Sequence, residues 1–266
     1  MGIFSQKGQI LLIVILAAVV SLTVGLSAVS RIITNTKVTT EEASSQKALS
    51  AAEAGAEELA ANNSLLGTGS SKTLSNNSKF DATAKQVSNA SILINGGKDV
   101  YKDDGADVWL STYPKFTPPQ WSGTMTVYWT DTQGGGNCDK DPAIEIVVIS
   151  GNRANPNMNR AAYDACGSRR NGNNFIRPAN GGSVQGVSFD HNFQITIDPA
   201  TPGFIARIIP LYANTTIGVV GDSIFPSQGY IIDSVGTSGN TTRKVRVFQG
   251  FPRVPVEYFP YNLFLP

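Results

Sequence analysis

The residues that could do covalent chemistry in this chain are few, and two cysteines are the most informative of them. The 266-residue sequence contains Cys138, Cys166 and one histidine. Both cysteines follow an apolar N-terminal stretch of the export type, and an even cysteine count in that setting predicts a disulfide. Their Gly- and Asn-rich neighbourhoods place the predicted bond at the surface, with two separate buried thiols as the alternative. A bond across this loop would stabilise the fold by about 3 kcal/mol.

The other residues do not indicate an enzyme active site. The lone His191 lies in FDHNFQ, beside a predicted strand, where a surface or edge position is expected. No G-x-S-x-G motif is present, and Gly221-Asp222-Ser223 lies between short β segments without a partner set. We expect no catalytic residues, and a secreted or anchored hydrolase is the least favoured reading.

Metal ligands are offered only by two acidic clusters. The clusters are Asp103, Asp104 and Asp107, and Asp139, Asp141 and Glu145. Neither has the register of an EF-hand loop, and two cysteines with one histidine do not make a zinc spacing. Glycines 134–136 and 181–182 follow no phosphate-loop pattern. We therefore expect solvated acidic loops, no metal and no cofactor.

Charge and composition exclude one class of partner and divide the chain. The net charge is +1 and charged residues make up 15%, so the basic excess of a nucleic-acid binder is missing. Helix-forming residues concentrate before residue 61, whereas Gly, Asn, Ser and Thr are abundant after it. This shift predicts a helical N-terminal part and a β-rich body facing solvent.

The N-terminal stretch has the length and composition of a membrane span. Residues 9–30 carry no charge, and the 20 residues from Ile10 to Val29 would span about 30 Å as a helix. A cleaved signal peptide has a shorter apolar region and a small-residue cleavage site, so it is the weaker reading. We predict a transmembrane segment over 10–30. Its membrane and assembly surface would include Ile10, Leu11, Leu12, Ile13, Leu16, Val20 and Gly25.

Helical periodicity continues beyond this segment. Apolar residues recur at three- and four-residue steps through Ala48, Leu49, Ala52, Ala56 and Leu59, with charged and polar residues between them. No proline precedes Pro114. One helix over 9–61, about 80 Å long, is therefore expected, apolar all round in its first half and amphipathic in its second.

The residues before the apolar run resemble a type IV prepilin leader. Lys7-Gly8 directly precedes Gln9-Ile10-Leu11, as a basic residue and a glycine precede the apolar helix in that family. The resemblance implies a leader over 1–8, cleavage between Gly8 and Gln9 by a prepilin peptidase, and methylation of the new N-terminus. A glycine at the cut is chemically reasonable, since the missing side chain lets the protease approach the backbone.

A second segment narrows the resemblance. Ser44 to Ala60, SSQKALSAAEAGAEELA, is similar to the segment that follows the membrane helix in PilX-like minor pilins. Major pilins carry Glu at the fifth mature position, where this chain has Ile13, and this absence fits minor pilins that initiate or cap a filament. The resemblance covers about residues 5–61. It implies other pilin subunits and a pilus assembly platform as partners, together with the membrane.

The body from 62 to 266 is expected to be an extracytoplasmic β-rich domain. We predict an α+β protein of pilin-like plan, with an antiparallel β sandwich or a sheet packed on the helical stem. A hairpin should turn at Gly239-Asn240, and Thr73 to Asn89 is expected to be loop with some helix. The other predicted strands are 90–94, 107–109, 124–130, 143–149, 193–197, 206–212 and 216–220.

Two functions remain open at this level. The first is a structural subunit, a minor pilin or pseudopilin of a type IV pilus or a type II secretion-like filament. The second is a single-pass, membrane-tethered adhesin or carbohydrate binder that does not polymerise. In that case Trp109, Trp121 and Trp129 could stack on sugars. The aromatic, proline-rich tail from Phe251 to Pro266 is expected to cover a sheet face, or to offer a sticky strip to a partner.

Overall fold

A computed structural model describes residues 7–62, 67–131, 138–152 and 154–254, with side chains from residue 11 onward. The predicted α+β class is confirmed: one long apolar N-terminal helix packs on an antiparallel sheet, and the other strands of the C-terminal region form further antiparallel sheets. The helices are α1 (Lys7–Ala61) and α2 (Gly167–Asn173). The strands are β1 (Ser70–Thr73), β2 (Lys79–Gln86), β3 (Ser91–Leu93), β4 (Ala106–Trp109), β5 (Gly123–Trp129), β6 (Ala143–Asn152), β7 (Asn155–Asp164), β8 (Ala179–Val184), β9 (Val187–Ile197), β10 (Gly203–Leu211), β11 (Ile217–Gly221), β12 (Gly229–Ser238) and β13 (Thr241–Gly250).

The strands form three sheets. We call them the stem sheet, with strand order β1-β2-β12-β13, the inner sheet, with order β4-β10-β6-β7, and the outer sheet, with order β3-β11-β5-β9-β8. The chain divides into two compact units. The stem unit comprises the chain through Ala84 and Ile232–Val247, and the body unit comprises Lys85–Ile231 and the residues from Phe248 onward.

In the stem unit, the C-terminal half of α1 packs on the sheet. Its buried positions are Ala48, Ala51, Ala52, Gly55, Ala56 and Leu59, which recur every three or four residues, while Glu53 and Glu57 are exposed. The predicted amphipathic half is therefore confirmed. The expectation for Leu49 was wrong, because this side chain is 41% exposed and Ala51 takes the buried place. Small side chains face the sheet, so the helix backbone can approach it closely.

The expectation of loop with some helix between Thr73 and Asn89 was wrong for Lys79 to Gln86, because these eight residues form the strand β2. In this strand Phe80, Ala82 and Ala84 are buried and the residues between them are exposed. This two-residue alternation is the strand pattern. It was hard to see in the sequence because two of the three buried residues are alanine, which favours helices.

In the body unit, the inner and outer sheets share one hydrophobic core. The inner sheet contributes Ile144, Ile146 and Ile208, and the outer sheet contributes Trp129 and Val219. Strand β6, AIEIVVISGN, lies between β10 and β7 and is rich in β-branched residues, as expected for a strand inside a sheet. The chain thus contains both arrangements that the sequence left open, a sheet on a helix and a sandwich.

The other predicted strands are confirmed with small shifts at their ends, and 193–197 is the second half of β9. The predicted hairpin is also present, formed by β12 and β13. Gly239 has a φ of +56°, a conformation that glycine adopts without steric cost. The residue pair Gly239-Asn240 therefore makes the turn that the sequence predicted.

Candidate functional site

The most distinctive surface of the described residues is the N-terminal half of α1. Large apolar side chains are exposed along its whole length, from Leu11 to Val38. Among the predicted assembly residues, Leu11, Leu12, Ile13, Leu16 and Val20 are between 54% and 67% exposed. A Cβ added at Gly25 would meet no atom within 4 Å, so this position also lies open.

Gly8, Gln9 and Ile10 are part of the same helix. The described part of this helix runs from Lys7, two residues before the predicted start at residue 9. The pair at the expected cleavage point therefore lies within α1 in the uncleaved chain. Processing at this pair stays a prediction, and the side chains of these three residues lie outside the description.

This helix is long and apolar enough to cross a membrane. Its most apolar stretch of 18 residues is not buried against any other part of the described structure. Several threonines of this helix satisfy their hydroxyls within it. Thr23 donates a hydrogen bond to the Val20 carbonyl at 2.8 Å, and Thr34 and Thr36 bond back to carbonyls four residues earlier. Hydroxyls satisfied within their own helix can enter lipid or a helix bundle at a low cost.

The predicted disulfide between Cys138 and Cys166 is confirmed, with 5.4 Å between the Cα atoms. Its expected surface position was wrong for Cys166, which is only 4% exposed. Arg169 links the two segments that the bond joins, donating to the Cys138 and Asp141 carbonyls and to the Asp164 carboxylate. Burial tends to raise the pKa of Asp164, but hydrogen bonds from Arg169 and the Cys166 N–H outweigh it and lower the pKa.

Replacing both cysteines with alanine should lower the free energy of unfolding by about 3 kcal/mol, because the bond closes a loop between residues 28 apart in sequence. Guanidinium unfolding of the full chain in detergent, followed by tryptophan fluorescence, measures this change. Treatment of the wild type with a reductant should lower its free energy of unfolding by the same amount. An unchanged midpoint in both experiments would contradict the prediction.

His191 does not lie at the surface or at a sheet edge as expected. It is on β9, between β5 and β8, and its side chain is 14% exposed. Its Nε2 lies 3.0 Å from Asp131 Oδ2, so among the described residues its partner is a carboxylate and not a nucleophilic hydroxyl or thiol. Burial raises the pKa of Asp131, and the neighbouring His191 opposes this rise.

The acidic clusters are engaged in ion pairs and hydrogen bonds. Asp107 pairs with Arg207, Asp104 with Arg253, and Glu145 with Arg160. Within the described ranges, no group of three or more His, Cys, Asp or Glu side chains is placed to hold a metal ion. Asp222, from the Gly-Asp-Ser sequence, accepts a hydrogen bond from the Thr124 N–H at 2.7 Å.

The three tryptophans are not available for stacking on sugars. Trp109, Trp121 and Trp129 are all at least 94% buried. The first four residues of the tail are described, and they pack against the rest of the structure as a cover would. The ring centroids of Phe251 and Tyr113 are 4.8 Å apart. The rest of the tail, 255–266, lies outside the described residues.

Comparison with protein-family models, with curated proteins and with solved structures found no match to this chain. The architecture itself is pilin-like: a long apolar N-terminal helix packs against an antiparallel β region. The exposed apolar half of the helix indicates association with a membrane or with other subunits. The disulfide is typical of a body outside the cytoplasm.

Proposed function

We propose that this chain is an assembly subunit, a minor pilin or pseudopilin of a type IV pilus or a type II secretion-like filament. The observation that carries the proposal is the division of α1. Its first half exposes apolar side chains from Leu11 to Val38, and its second half is buried against the stem sheet from Ala48 to Leu59. One continuous helix therefore joins the stem sheet to a surface that needs an apolar partner.

Lipid and neighbouring helices can both serve as that partner. Each takes the exposed apolar side chains out of water, which is worth roughly 25 cal/mol per Å². Moving the helix from lipid into a bundle therefore changes the hydrophobic free energy little, and close packing decides the balance. Small residues at Ala17, Ala18, Ser21 and Gly25 allow such close packing.

The proposed partners follow from this transfer. Other pilin subunits and the assembly platform would receive the helix, and a prepilin peptidase would first remove residues 1–8. Before assembly the chain would be a single-pass protein of the cell membrane, with its body on the outer side. The role is one of association and requires no catalysis by this chain.

The lack of an acid near the start of the helix supports a place at the beginning or tip of a filament. Residues 9–30 contain no Asp or Glu, so no carboxylate is present to pair with the N-terminal amine of a neighbour. An unpaired buried charge is costly in an apolar bundle. A subunit with no neighbour ahead of it would not incur that cost.

Processing gives the direct test. The intact mass of protein extracted from membranes of a host with an active prepilin peptidase should show loss of residues 1–8 and one added methyl group on Gln9. Replacing Gly8 with Leu should abolish this cleavage, because a branched side chain blocks the approach of the protease to the backbone.

Gly2→Leu, a matched change within the same leader, should leave processing intact. If the wild type keeps its first eight residues in such a host, the filament role is refuted. The chain would then be the second candidate, a membrane-anchored extracellular binding domain that does not polymerise. That candidate is favoured by the length of the apolar helix, which suffices for a permanent anchor.

A further inference from the structure

Strand β7 of the body unit places three asparagines where a sandwich normally has apolar residues. In register with β6, Asn155 pairs with Asn152, Asn157 with Ser150, and Asn159 with Val148. The next residues on the same face, Ala161 and Tyr163, pair with Ile146 and Ile144 of the core. The inward side of β7 thus carries asparagine side chains in its first half and apolar or aromatic side chains in its second half.

Two of these asparagines, Asn157 and Asn159, line a cleft between the inner and outer sheets. The cleft has a volume of about 220 Å³. One wall is formed by β6 and β7, and the other by Ile195 to Asp198 and Thr201. The rings of Tyr163 and Phe193, 4.0 Å apart, lie where the cleft meets the core. Burial raises the pKa of Tyr163, so this wall carries a neutral phenol at physiological pH.

A second hollow continues the cleft outward and shares Asn157 and Thr201 with it. Gln120, Asn152 and Asn155 also line it. Together the two hollows offer side-chain amides, the hydroxyls of Ser150, Thr196 and Thr201, and one carboxylate, Asp198. The side-chain amides of Asn157 and Asn159 make no hydrogen bond with any described residue and are exposed. They are available to a ligand.

We propose that this cleft binds a neutral saccharide chain. Each asparagine amide both donates and accepts hydrogen bonds, and neighbouring sugar hydroxyls do the same. A few converging polar groups set on an apolar floor are the usual design of a small-ligand site. None of the described residues that line the cleft carries a positive charge that could hold a phosphate or sulfate, and its rim is too polar for a lipid chain. A peptide would pair with the backbone edge of β7 and would not need the inward asparagines.

The proposal does not depend on the filament role, because the cleft belongs to the body unit alone. Loss of processing at Gly8 would leave saccharide binding unchanged. Failure of saccharide binding would equally leave processing unchanged. The two ideas are therefore tested by separate measurements.

The test uses the full chain in lauryl dimethylamine oxide, because a maltoside detergent would itself occupy a sugar site. The probes are cellohexaose, maltohexaose and chitohexaose, with a heparin hexasaccharide as the charged comparison. We expect saturable binding of at least one neutral probe by isothermal titration, with a Kd of about 1 mM or tighter. The variant Asn157→Ala/Asn159→Ala should weaken it at least about ten-fold, since several hydrogen bonds are lost.

Asn180→Ala is the matched control, an exposed strand asparagine outside the cleft, and it should bind as the wild type does. If the alanine variant does not fold, Asn159→Asp keeps the shape, removes the donor and should also weaken binding. The proposal is overturned if no neutral probe binds at about 5 mM. It is also overturned if only heparin binds, or if Asn180→Ala weakens binding as much as the cleft variant does.

Discussion

Replacing Asp107 with Asn is expected to lower the free energy of unfolding by about 3 to 5 kcal/mol. The Asp107 and Arg207 side chains are 3% and 1% exposed, and two hydrogen bonds of 2.7 Å join them. Asp107 also accepts the Val254 N–H at 2.8 Å. The substitution leaves the Arg207 charge buried without its counter-charge, which costs far more than the pair contributes as a unit.

Guanidinium unfolding of the full chain in detergent measures the change, and all three tryptophans lie in the same unit as the pair. Asp104→Asn is the control. Its partner Arg253 is also 2.7 Å away, but the two side chains are 40% and 49% exposed, so less than about 1 kcal/mol is expected. Asp107→Leu combined with Arg207→Met should recover at least about 2 kcal/mol by removing both charges. Equal losses for Asp104→Asn and Asp107→Asn would show that burial of the pair is unimportant.

The helix was predictable because its signals are long and local. Residues 9–30 have no charge, Ala48 to Leu59 repeat at helical steps, and no proline interrupts them. Its sheet was only half predictable. The β12–β13 hairpin has a clear turn sequence at Gly239-Asn240. The buried face of β2 gives a weak strand signal, because two of its three residues are alanine.

Other features depend on contacts that are distant in sequence. Asp107 was expected in a solvated loop, but Arg207, 100 residues away, makes it part of the interior. The polar sequence NPNMNRAAYD did not suggest a strand, so β7 and its cleft were missed. An available signal was the recurrence of asparagine at 155, 157 and 159, a two-residue period that places the amides on one face.

The proposed role requires α1 to serve two environments at once. The exposed half must exchange lipid for neighbouring helices, while the other half stays fixed to the stem sheet. Small residues meet both needs. In the apolar half they permit close contact with other helices, and in the docked half they bring the backbone of α1 onto the sheet. The closest of these contacts is at Gly236, near the C-terminal end of β12.

Replacing Gly236 with Val should therefore separate α1 from the stem sheet. A Cβ at this position would meet the carbonyl oxygen of Ala48 and lie 2.5 Å from the Ala52 nitrogen. Both are main-chain atoms of a continuous helix, so neither can turn aside as a side chain would. We expect a loss of about 4 kcal/mol or more in the stability of the docked helix.

Hydrogen exchange of peptides covering Ala48 to Leu59 provides the readout, because the stem unit contains no tryptophan. Gly236→Val should strongly accelerate exchange in these peptides. Gly250→Val, in the neighbouring strand, is the control, because its nearest obstacle is the Phe248 side chain at 3.5 Å, an ordinary contact. It should leave exchange in the helix unchanged. Wild-type protection in Gly236→Val would contradict the prediction. It would mean that other contacts hold the helix on the stem sheet.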